Sequence, residues 1–192
     1  VKVSGNATSG DGGGMRAAAL GSNKIETTDG KVTVAGEAVK GSAYGMQADH
    51  SGSNSITTNN GDVEVTGTGD TGIDSFAYGM YAKFSGSNEI ETTDGKVTVI
   101  GESTNSNRTG YGMYAVSSGS KNTITTNNGD VKVTGTGSSG YGMYANASGS
   151  NEIKTAGGNV EISSNSALAD GMHANASGSN SVTTTSGDVK VI

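Results

Sequence analysis

Two groups of side chains in this 192-residue chain are of the types that chemistry asks for. The first is a set of carboxylates, Asp62, Glu64, Asp130, Glu161 and Asp188, all beside or within Val-x-Val-type segments. Paired carboxylates act on glycosidic bonds when they stand about 5–9.5 Å apart. Lys96, Lys132 and Lys190 interrupt this set, however, as they would on a charge-paired, solvated face. The second group is the run of residues that directly follow methionine: Arg16, Gln47, Tyr81, Tyr114, Tyr144 and His173. Methionine does not vary within the chain while its neighbour is polar and variable, so methionine faces in and the neighbour faces out. Outward stacked tyrosines form an amphipathic stripe of the kind enriched in binding surfaces. Tyr81, Tyr114, Tyr144, Gln47 and His173 are therefore candidate ligand or self-association residues, with Lys83 beside them. No catalytic residue is assigned.

A repeat must position these side chains. All six methionines follow glycine, at Met15, Met46, Met80, Met113, Met143 and Met172, with spacings of 31, 34, 33, 30 and 29 residues. An asparagine comes eight or nine residues later, at Asn23, Asn54, Asn88, Asn122, Asn151 and Asn180. Two residues on stand Ile25, Ile56, Ile90, Ile124, Ile153 and Val182, then a glycine, then a pair such as Val97 and Val99. Fixed periods of this length mark solenoids, propellers or arrays. Each repeat holds three short segments of period two: Gly-Met-Tyr-Ala, Asn-x-Ile-x-Thr and Val-x-Val. An Asn-Gly or Asp-Gly type turn separates the second from the third. Such turns also mark antiparallel hairpins, which makes a meander or propeller the rival fold. Propeller blades need four strands and about 40 residues, whereas three strands in about 30 suit one coil.

The expected fold is all-β: a right-handed parallel β-helix, or β-solenoid, of about six three-stranded coils of 29–34 residues. Residues 1–192 form one solenoid segment. The chain opens on Val1-Lys2-Val3 and closes on Val189-Lys190-Val191, so it is expected to be a slice of a longer array. Methionine, isoleucine and the valine pairs face inward, with a buried asparagine ladder at the turn. Outward charges in one column (Lys31, Asp62, Lys96, Asp130, Asn159, Asp188) are expected to pair between coils about 4.8 Å apart. Tyr44, Tyr78, Tyr111 and Tyr141 should face inward by alternation.

Composition closes several other routes. Val, Ile, Leu and Phe make up only 29 of 192 residues, so order within the chain, not apolar content, must specify the fold. The net charge of −6, with 12 Lys and Arg, argues against a nucleic-acid partner. No apolar run reaches the roughly 20 residues of a membrane span, and residues 1–20 do not read as a signal peptide. There is no cysteine, and His50 and His173 fall about four coils apart on different columns, so neither a metal nor a cofactor is expected. Gly69-Asp70-Thr71-Gly72 is similar to the Gly-Asp-Ser-Gly of serine proteases, but threonine takes the nucleophile's place and the segment reads as a connecting loop. The longest connections, Thr66–Ala77 and Ile100–Gly110, are a second place where binding is expected.

The segments Ala77–Ala82, Tyr111–Ala115 and Tyr141–Ala145, each followed by Gly-Ser-Asn-x-Ile-x-Thr or a close variant and Gly-x-Val-x-Val, resemble passenger domains of Gram-negative autotransporter adhesins. The resemblance covers nearly the whole chain. It implies a long right-handed β-helix exported to the cell surface, extracellular and non-enzymatic. Its partners would be host-cell or bacterial surface components, such as a glycan or a matrix protein, or further copies of itself. A purely structural stalk is the alternative, and a polysaccharide-active β-helix enzyme a third reading.

Overall fold

The computed structural model describes residues 1–69, 76–105, 107–166 and 168–192. Every strand pairing is parallel, and strands join only to their counterparts in the coils above and below. One coil runs through Ala77–Ala82, Ser87–Thr92 and Val97–Ser103. Repetition of this unit builds three sheets: a seven-stranded valine sheet from Lys2–Ala7 to Val189–Val191, and six-stranded methionine and asparagine sheets. This is a parallel β-solenoid of about six turns, and the hairpin-based alternatives fall away.

The interior is a set of columns of like residues. Met46, Met80, Met113 and Met143 are fully buried, as are Ile56, Ile90, Ile124 and Ile153. Paired registers place Met113 between Met80 and Met143. Because each apolar side chain packs on its own kind, a core one side chain deep suffices, each contributing about 1.5–3 kcal/mol. The asparagines form the expected ladder. Each Nδ2 donates to the next Oδ1 at 2.8 Å, from Asn23 through Asn54, Asn88, Asn122 and Asn151 to Asn180. The same amide also donates to a carbonyl of the next coil, as Asn88 does to Tyr114 at 3.0 Å. Both amide hydrogens are thus used where an unpaired one would cost about 1–3 kcal/mol.

Two features depart from simple stacking. The outward charges do not pair along their own column. Asp62 and Asp130 instead accept the backbone N–H of the residue one coil on, Lys96 at 2.9 Å and Asn159 at 2.8 Å. The ion pairs use the next outward column instead, Lys31 running diagonally to Glu64 at 2.6 Å and Lys132 standing directly opposite Glu161 at 3.4 Å. A short aspartate reaches its neighbour's amide before it reaches a lysine head, so the longer glutamate takes the lysine. The inward threonines likewise serve their own turns: Thr92, Thr126 and Thr155 accept the N–H of Gly95, Gly129 and Gly158 at 3.1 Å.

The valine and methionine sheets close on each other beyond the valine pairs. Gly36, Gly67, Gly101 and Gly135 share one register there. A β-carbon on Gly101 would fall 1.9 Å from the carbonyl oxygen of Tyr111, so only glycine permits this approach. The same closeness governs the methionine strands. A β-carbon on Gly79 would point into the core, 2.6 Å from Val99 Cγ1, while the next residue, Met80, is also fully buried. Two consecutive inward positions interrupt the alternation and put Tyr78 and Tyr81 on the same outer face.

Candidate functional site

That interruption corrects the expectation for Tyr44, Tyr78, Tyr111 and Tyr141. They do not line the core; they form a second outer column beside Tyr81, Tyr114 and Tyr144. The ring centroids of Tyr78 and Tyr81 are 4.8 Å apart, those of Tyr111 and Tyr114 4.5 Å, and those of Tyr141 and Tyr144 5.0 Å. Along the first column the rings stack face to face: Tyr44 on Tyr78 at 5.1 Å and 7°, Tyr78 on Tyr111 at 5.3 Å and 8°, Tyr111 on Tyr141 at 5.6 Å and 10°. All seven tyrosines of the chain belong to this one stripe. The signal for it was the glycine before each methionine, which allows both residues to point inward.

The stripe is closed at both ends. His173 stacks on Tyr144 at 5.0 Å, and its Nδ1 lies 2.9 Å from Asp170. At the other end Gln47 is on the outer face as expected, yet it is only 5% exposed and so offers little to a ligand. Its Nε2 donates to Asp49 at 3.2 Å, and Asp49 pairs with Arg16 at 3.6 Å. Tyr81, Tyr114 and Tyr144 are half-buried rather than freely exposed, and Tyr44 and Tyr78 are buried. Lys83 turns aside, its ammonium 4.8 Å from the Phe84 ring centre at the corner of the coil.

Burial governs the chemistry of these phenols. It raises the pKa of Tyr78, Tyr81, Tyr111, Tyr114 and Tyr44 above the ordinary 10.0, and nearby tyrosines add to the rise in Tyr78, Tyr81, Tyr111 and Tyr114. Burial likewise raises Tyr141. The folded chain therefore holds protons that the unfolded chain releases above pH 10. Stability should stay level up to about pH 10, then fall by about 1.4 kcal/mol per pH unit through Tyr78 alone. Thermal melts across this range check it. A melting temperature unchanged at about pH 11 would mean that the tyrosines are not packed as described.

The hydroxyl tips behave differently from the rings. Tyr44 bonds to Ser42 and Tyr111 to Thr109. Among the described residues, the hydroxyls of Tyr81, Tyr114, Tyr141 and Tyr144 make no hydrogen bond and are not among the sealed polar atoms, whereas Tyr78, 6% exposed, is withdrawn from water with its ring. In the half-buried tyrosines the rings are packed while the oxygens lie toward the surface, as suits a side chain with an apolar body and a polar end.

The other candidates do not converge. His50 packs at a tilt against Phe84, ring centres 5.2 Å apart, at a coil corner away from His173. Among the described residues no group of three or more His, Cys, Asp or Glu is placed to hold a metal ion. No helix long and apolar enough to cross a membrane occurs among them. Of the valine-sheet carboxylates, Asp130, Glu161 and Asp188 border a shallow groove of about 360 Å³ with Lys96, Lys132 and Lys190, but Asp130 is engaged by a backbone amide and Glu161 by Lys132. Asp70, Thr71 and Gly72 of the protease-like tetrapeptide lie outside the described residues, as do parts of both long connections. Where those connections begin, the valine strands simply continue, to Gly69 and to Ser103. No known protein family, curated protein or solved structure matches this chain, so its reading rests on the geometry described above.

Proposed function

We propose that this chain is a segment of a surface-displayed adhesin passenger of the autotransporter type, extracellular on a Gram-negative bacterium and without catalytic activity. It binds a host-cell or bacterial surface component, or further copies of itself, along one face of the rod. The observation that carries this reading is the gathering of all seven tyrosines and His173 on a single outer stripe. Weak contacts repeated along a rigid rod combine through effective concentration, so a stripe can adhere without a pocket.

The face-to-face stacking of the rings favours a second reading, in which the ladder only stiffens a stalk that presents another domain. Joint replacement of Tyr81, Tyr114 and Tyr144 by alanine separates the two. The methionine, isoleucine and asparagine columns remain, so the β-rich circular dichroism spectrum should persist with a lower melting temperature. Adhesion to cells or self-aggregation should drop. Unchanged adhesion with only lower stability would leave the stalk reading standing. Replacement of Asp62, Glu64 and Glu161 by their amides is the control; loss of binding there, with the tyrosine variant binding normally, would move the site to the valine sheet.

A further inference from the structure

We propose that the tyrosine stripe is a hydrogen-bonding rail for an uncharged, polyhydroxylated chain, a neutral glycan lying along the solenoid axis. This rests on the adhesive reading above and names its class of ligand. The first ground is the orientation of the rings. Near-parallel rings with centres 5.1–5.6 Å apart stack offset, each partly covering the next, because coplanar neighbours at that distance would collide. In the column of Tyr44, Tyr78, Tyr111 and Tyr141 the faces are therefore spent on one another, and His173 covers Tyr144. That column offers a sugar or aromatic ring no open face; the rings of the second column are tilted, by 37° from Tyr81 to Tyr114 and 59° from Tyr114 to Tyr144, so it is no flat stacking platform and adds hydroxyls to the outer surface.

The second ground is that those hydroxyls are free. Tyr81, Tyr114, Tyr141 and Tyr144, all half-buried, present oxygens that are neither sealed nor bonded within the described residues. A phenol both donates and accepts, as a sugar hydroxyl does. In the column of Tyr81, Tyr114 and Tyr144 the oxygens recur at the coil step of about 4.8 Å, with Tyr141 beside them. The third ground is charge. Among the described residues, the ion pairs on this face stand at its two ends, Arg16 with Asp49 and His173 with Asp170. Between them the two columns hold tyrosine alone from Tyr78 to Tyr144, and the positions two residues before the first column, Ser42, Phe76, Thr109 and Ser139, are uncharged. The cation beside the middle of the rail, Lys83, lies over the Phe84 ring at the coil corner, so a charged polymer would find no counter-charge within the two columns from Tyr78 to Tyr144.

The test is a binding titration of the chain against glucan, mannan and galactan oligosaccharides, with polygalacturonate and heparan sulfate as charged comparators. At least one neutral series should bind, more tightly as the oligomer lengthens toward the roughly 15 Å that three coil steps span. Joint replacement of Tyr81, Tyr114 and Tyr144 by phenylalanine keeps the rings and removes the hydroxyls. It should weaken that binding about tenfold or more while the melting temperature stays close to that of the unaltered chain. Glu64→Gln with Glu161→Gln, on the valine sheet, should bind as the unaltered chain does. Equal binding by the phenylalanine variant, or preference for the charged polymers, overturns the proposal. So does tyrosine-dependent cell adhesion with no neutral glycan bound. In that last case the adhesive reading survives and its ligand class falls, and sedimentation of the free chain tells whether the partner is a second copy. Absence of adhesion in every format would overturn both.

Discussion

Met113→Asp should remove several kcal/mol of stability and unfold the middle of the solenoid. Met113 is fully buried in register between Met80 and Met143, with Val and Ile columns around it. Loss of a buried methionine side chain alone costs about 2–5 kcal/mol. The carboxylate adds the penalty of a buried charge with no partner, or of the proton it must take up to avoid one. Tyr114→Ser, one residue away, should cost roughly 1–3 kcal/mol, because Tyr114 is half-buried and its loss leaves an indentation open to water. The gap between the two variants in denaturant or thermal unfolding is the readout. Two equally mild losses would mean that the methionine column does not form the core.

Gly101→Ala should be comparably severe, although it adds a single carbon. The new β-carbon would lie 1.9, 2.4 and 2.6 Å from the carbonyl oxygen, carbonyl carbon and nitrogen of Tyr111. These are backbone atoms of a strand paired on both sides, with Ala77–Ala82 and with Tyr141–Ala145, so they have nowhere to move. The two sheets would have to part locally, uncovering Val97 and Val99. Gly119→Ala supplies the comparison. Its φ of +79° strains an alanine, but nothing lies within 4 Å of the added carbon, so the cost should be about 1–2 kcal/mol. Soluble yield and melting temperature distinguish them. If Gly101→Ala is tolerated as easily as Gly119→Ala, the valine and methionine sheets are further apart than described.

Much of the fold was legible in the order of residues. A stacked repeat puts each residue on its own equivalents, so a column that never varies declares itself buried and one that varies declares itself wet. Met15 to Met172 and Asn23 to Asn180 could be placed this way without any contact being known. The same logic named Tyr81, Tyr114, Tyr144 and His173 as outward. It placed Gln47 on the outer face too, but could not tell that Asp49 and Arg16 would close over that end. It also misplaced the charges, because adjacency in a column does not say whether an aspartate turns to a lysine or to the amide beside it.

What the sequence alone determined was the coil: its period, its three strands, its methionine, isoleucine and valine interior, and its asparagine ladder. These follow from alternation within a strand and repetition between strands, both local rules. What only the tertiary structure decided was the face of Tyr44, Tyr78, Tyr111 and Tyr141, and so the breadth of the stripe. Alternation sends them inward. The valine sheet approaches so closely at Val65, Val99 and Val133 that the glycine before each methionine must also face it. Both inward positions are then taken by Gly-Met, and the tyrosines on either side are turned out together. That distance between two sheets is set by how glycine and valine columns from different parts of each coil meet, and no local pattern carries it.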